Sequence, residues 1–115
     1  AIQGKLCTQM DTLFTNLEQI AAQQNLISNA IAGAKLWVSS EDFGIDNSIT
    51  DKFKFEFHSH KLCFKHEYIE VSYIETNLTI LLEEEEVGYY SWHTLLDGEV
   101  IDDMLVITDN ELKYS

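Results

Sequence analysis

A chain of 115 residues with twenty acidic side chains, seven lysines and no arginine carries a formal charge of −13, which rules against binding phosphate backbones or anionic membranes by charge. Its 45% hydrophobic and 11% aromatic content is too high for a disordered acidic tail, so one folded domain over 1–115 is predicted. No apolar run reaches the ~18–20 residues of a membrane span, no basic-then-apolar leader opens the chain, and two cysteines, Cys7 and Cys63, are too few for a disulfide framework, so a cytoplasmic protein with reduced thiols is expected.

In chain order, Leu6, Met10, Leu13, Leu17, Ile20, Gln24, Ile27 and Ile31 recur at spacings of four and three, the apolar stripe of a helix. A continuous helix over 5–32 would be ~42 Å long, longer than the ~35 Å diameter of a compact domain of this size. It must overhang or break, and Gln23, Gln24 and Asn25 mark the break. The stripe could pair with a second copy through its a/d seam, but Gln24 interrupts it. A helix lying on its own sheet, in a monomer, is the simpler expectation. Gly33 reads as the helix stop, which divides the chain into a helical layer at 1–33 and a sheet at 34–115.

Beyond Gly33, residues 34–39 read as a first strand, and 41–51 as a polar loop tethered by Phe43 and Ile45. Phe53, Phe55 and Phe57 alternate with Lys54, Glu56 and His58 in the clearest strand. Strands also read at 69–74, 78–82, 88–92 and 104–108, and Asp97-Gly98 is a hairpin turn between Leu95-Leu96 and Val100-Ile101. The expected fold is α+β: an N-terminal amphipathic helix, broken near 23–25, packed on a mainly antiparallel meander of about five or six strands.

His58, His60, Cys63 and His66 fall within nine residues. Histidines at i and i+2 on a strand share a face ~6.6–6.8 Å apart, and zinc accepts both imidazole and thiolate. Only one knuckle is present, and on a continuous strand Cys63 faces away from His60. Solvated histidines with a buried thiol are therefore the expectation, with no metal or other cofactor. The same stretch holds Lys52, Lys54, Lys61 and Lys65. A nuclease-like acid/base pair there would have to draw a polyanion toward a strongly negative protein without any arginine fork. No nucleotide-binding or nucleophile motif occurs, and no catalytic residue is assigned.

The acidity is uneven: 1–60 hold seven acids and four lysines (net −3), whereas 61–115 hold thirteen acids and three lysines (net −10). Glu83, Glu84, Glu85 and Glu86 form an acidic wall suited to docking lysines and arginines. Asp97, Glu99, Asp102 and Asp103 cluster about the hairpin, downstream of Tyr89, Tyr90, Trp92 and His93. Of these rings, Tyr90 is the candidate anchor and Trp92 the candidate core residue. In size, acidity and lack of catalytic motifs the chain resembles the small acidic immunity proteins that bacteria pair with secreted nuclease toxins, including those of contact-dependent inhibition systems. That resemblance implies a cytoplasmic inhibitor without activity of its own, covering the active site or substrate groove of a basic toxin domain. DNA mimicry would require the same charge. Two other readings are a type III-like secretion chaperone, from which the chain departs by ending in strands, and a small metal-binding hydrolase using the His/Cys cluster.

Overall fold

A computed structural model describes residues 2–64 and 71–113, with side chains described over 12–64 and 71–112. Two helices lead, α1 (Ile2–Gln23) and α2 (Leu26–Ser39), followed by a 3-10 turn at Glu41–Phe43 and a one-turn helix α3 (Asn47–Thr50). Four strands come next, β1 (Phe53–Cys63), β2 (Tyr73–Leu82), β3 (Glu85–Leu95) and β4 (Val100–Ile107), and a one-turn helix α4 (Asn110–Lys113) ends the described chain. The strands form a single antiparallel meander in the order β1-β2-β3-β4. The fold is therefore α+β, with four strands among the described residues rather than five or six.

The helix breaks where the sequence predicts. Asn25 adopts a left-handed conformation (φ 50°, ψ 44°), one that asparagine tolerates better than most residues. The amide of Asn29 donates to the Gln24 carbonyl at 3.0 Å, satisfying an acceptor exposed by the break. The expectation of a strand at 34–39 fails because α2 continues through Gly33 to Ser39. Gly33 is a packing notch instead of a stop. A Cβ there would sit 2.5 Å from both the Trp92 ring and the Tyr90 hydroxyl. Ala30, Gly33 and Ala34 occupy i, i+3 and i+4, so α2 presents a face of small residues and lies close against the sheet.

The helix-side face of the sheet carries the core. Leu78, Ile80 and Tyr90 are wholly buried there, with Phe53, Val87, Ala30, Ala34 and Val38 around them. Each such large side chain contributes about 1.5–3 kcal/mol through burial. Phe43, Ile45 and Ile49 pack against this cluster and tether the 41–51 segment, as the sequence suggests. The strands expected at 69–74 and 78–82 are not separate. Tyr73–Leu82 is one strand, Val71 lies outside it, and Ile69 and Glu70 fall outside the described residues.

α1 behaves differently from α2. Leu13 and Phe14 are 49% and 52% exposed, and α1 packs on α2 without settling onto the sheet. The radius of gyration is 16.9 Å, against ~13 Å expected for a compact chain of this length, and the longest dimension is 58 Å. The expectation that the whole N-terminal stripe lies on its own sheet holds for α2 only.

Candidate functional site

The acidic residues occupy two regions at opposite ends of β3. Leu82 pairs with Glu85, so the β2–β3 hairpin turns over two residues, Glu83 and Glu84. Their φ angles are +52° and +70°. Positive φ at both central positions is the pattern of a type I′ turn, which favours Asn-Gly because other side chains crowd the backbone in that conformation. All four glutamates are exposed, two at the tip and two on the first residues of β3. The run begins in the turn and enters the sheet at its midpoint.

Asp97 and Glu99 lie roughly 34 Å away at the other end of β3, taking ~3.4 Å per residue. There the chain turns over 96–98: Leu95 donates to the Glu99 carbonyl at 2.8 Å and Gly98 to the Leu95 carbonyl at 2.9 Å. Gly98 takes φ +96°, and the Asp97 carboxylate accepts the Glu99 N–H at 2.9 Å. Asp102 and Asp103 follow on β4, on opposite faces. Asp102 is exposed across from His93, whereas Asp103 sits half-buried on the helix side across from Trp92.

Tyr90 is not the exposed anchor that its neighbourhood in the sequence suggests. It is 0% exposed, meets Trp37 edge-on with ring centres 6.3 Å apart, and donates its hydroxyl to Asp103 Oδ2 at 2.6 Å. Burial first, and then the bond to the Asp103 carboxylate, push its phenol pKa far above the ordinary value. Tyr90 and Asp103 therefore form a structural pair between sheet core and rim. Trp92 is half-buried and packs against the core, while Tyr89 is exposed on the opposite face.

The described members of the His/Cys cluster, His58, His60 and Cys63, do not converge. β1 is continuous through 59–61, but Phe57 pairs with Leu78 and Ser59 with Asn77, so His58 is the extra residue of a β-bulge. His60 consequently joins Phe57 on the helix-side face, with ring centres 4.7 Å apart, and its Nδ1 lies 3.0 Å from the Thr76 hydroxyl. Burial holds the His60 pKa below its ordinary value. His58 instead lies 2.9 Å from the Ser59 hydroxyl. Cys63 pairs with Tyr73 on the open face, and His66 lies outside the described residues. Among the described residues, no group of three His, Cys, Asp or Glu side chains is placed to hold a metal ion.

Two features were not read from the sequence. The open face of the sheet carries a polar chain in which Ser91 donates to Asn77 Oδ1 at 2.7 Å and Glu75 lies 3.5 Å from His93 Nε2. Tyr73 stacks on His93 at 5.4 Å. Hydrogen bonding with Cys63, then burial, raises the Tyr73 phenol pKa. The polar residues at every second position of β2, Glu75, Asn77 and Thr79, were the available signal. The second feature is an open apolar groove of about 790 Å³ between α1, the start of α2 and β1. Phe14, Leu17, Ile27, Phe57, His60 and Leu62 line it.

Among the described residues, His93 is the one basic side chain within ion-pair distance of a carboxylate. Among the described residues, the glutamates of the tip and the carboxylates of the far hairpin have no lysine within ion-pair distance. Compared with protein-family models, curated proteins and solved structures, the chain matches none. No described helix is long and apolar enough to cross a membrane.

Proposed function

We propose that the chain is a non-catalytic acidic inhibitor, an immunity-type protein that binds a basic toxin domain and covers its active site or substrate groove. The β2–β3 tip is the first contact, with Glu83, Glu84, Glu85 and Glu86 meeting lysines and arginines of the partner. Asp97, Glu99 and Asp102 form a second contact region at the far end of the sheet. The observation that carries this reading is the placement of two glutamates in the left-handed positions of a tight hairpin. Asn-Gly would suit that turn better. Retaining four adjacent carboxylates there favours charge at the expense of local stability, and backbone strain of this kind concentrates at functional positions.

Such a surface acts mainly on encounter. Complementary fields raise association rates by about 10–10³-fold at low salt, and the effect fades once the Debye length shortens to a few ångströms. The test is a pull-down from the source cell eluted with a salt gradient, followed by kinetics on the captured basic protein. Replacing the four tip glutamates with glutamine should slow association at least tenfold at low ionic strength. An association rate unchanged by that replacement, and by neutralising Asp97, Glu99 and Asp102 as well, would overturn the proposal.

A further inference from the structure

We propose that the chain self-associates through α1, with the helix of one copy seated in the groove between α1 and β1 of a second copy. This proposal does not depend on the inhibitor reading, which concerns the acidic ends of the sheet.

Sequence period supplies the first argument. The stripe at 6, 10, 13, 17 and 20 alternates spacings of four and three, a 3.5-residue repeat that keeps an apolar seam facing another helix along its whole length. α2 spends its buried face, Ala30, Gly33 and Ala34, on the sheet. α1 instead leaves Leu13 and Phe14 about half exposed, with an open groove between it and β1.

The groove is shaped for such a helix. Phe14 and Leu17 form one wall, Phe57 and Leu62 the other, and Ile27 closes the end near the break. Phe57 is 45% exposed, and Leu62 and Ile27 are each 37% exposed. Together with Leu13 and Phe14, these side chains leave roughly 400 Å² of apolar surface uncovered per copy, taking ~150–250 Å² for a full large side chain, a patch of the size that marks interaction sites. Two copies would bury about 800 Å² of that surface. At the roughly 60% apolar share common to interfaces, this corresponds to a total near 1,300 Å², within the ~1,200–2,000 Å² of stable complexes.

Charge favours a second copy over a basic partner. Residues 2–39 hold Lys5, Asp11, Glu18 and Lys35, so the helical half is neutral while the rest of the chain carries the whole −13. Two copies meeting at α1 bring their neutral halves together and keep their acidic sheets apart, which limits like-charge repulsion. Glu18 and Lys61 both line the groove and offset one another, so a basic partner gains more at the acidic ends of the sheet. Contact between two identical surfaces would close as a two-fold dimer, whereas seating without closure would continue into longer assemblies.

Sedimentation of the full chain tests the proposal. Wild type should run as a dimer or larger at tens of micromolar. Phe14→Glu combined with Leu17→Glu should weaken assembly at least tenfold while leaving the circular dichroism of the sheet unchanged. Phe57→Thr, on the opposite wall, should do the same without altering α1, and Gln19→Glu, which lies off the groove, should assemble like wild type. Wild type that stays monomeric up to about 100 µM overturns the proposal. So does a folded groove variant that assembles like wild type, or capture of an unlike helical protein by a monomeric chain.

Discussion

The hairpins at the two ends of β3 reverse the chain over two and three residues, and their residues suit the task unequally. At the Asp97-Gly98 end, glycine takes the left-handed position and the aspartate carboxylate caps a backbone amide. Local chemistry and chain reversal agree there. At the 83–84 end two glutamates occupy left-handed positions that favour asparagine and glycine, and four carboxylates crowd one tip. One turn is optimised for folding, whereas the other gives up stability to hold charge in place.

The largest test of this contrast replaces Glu83 with Asn and Glu84 with Gly. Relief of two left-handed side chains should raise unfolding stability by about 2 kcal/mol, read from the midpoint of urea denaturation. Replacing both with glutamine removes charge and keeps the strain, so it should recover little of that gain at high salt. Next, Gly98→Ala should lower stability by about 1.5 kcal/mol, because φ is +96° there and a Cβ would displace the Gln24 side chain. Midway along the strand, Tyr90→Phe should cost about 1 kcal/mol by releasing the Asp103 carboxylate, and its effect should not depend on which version of either turn is present.

The smallest effect lies in the groove and is read by pH. The folded pKa of His60 lies below the unfolded value near 6.5, so the unfolded chain takes up the proton first. Its contribution is complete above that pH and is lost as pH falls through the folded pKa. Wild type should therefore lose stability relative to His60→Gln on acidification below neutrality, measured as the difference between the two pH profiles.

Much of the architecture was legible because period and local turn chemistry agreed. The phenylalanines at 53, 55 and 57, the break at Gln24-Asn25 and the Asp97-Gly98 turn all follow from short-range rules. The misreadings arose where tertiary packing reassigned a local signal. Gly33 looks like a stop until Trp92 and Tyr90 press against it. Glu75, Thr76 and Asn77 look like an interruption between strands, yet Thr76 meets His60 on one face while Asn77 meets Ser91 on the other, so the strand passes through. The acidic residues were legible as a composition. Their separation to opposite ends of β3 was not, since it depends on that strand being eleven residues long. Tyr90 was misplaced for a related reason: tyrosine at this density of acids suits either a surface or a core, and only Asp103 across the ladder decides.

The single unpaired residue in β1 has a consequence for how this molecule tolerates insertions and deletions. Up to Phe57 the odd-numbered positions of the strand look toward the helices; past His58 the even-numbered ones do, so one extra amino acid exchanges inside for outside over the rest of the strand. Removing His58 would leave a regular strand with Ser59 and Lys61 still outward and His60 and Leu62 still inward, whereas pairing His58 in an unbulged strand would send Ser59 and Lys61 inward and evict His60 and Leu62. The strand thus keeps an apolar wall and a hydrated back in a segment whose lettering, read in twos, would have mixed them.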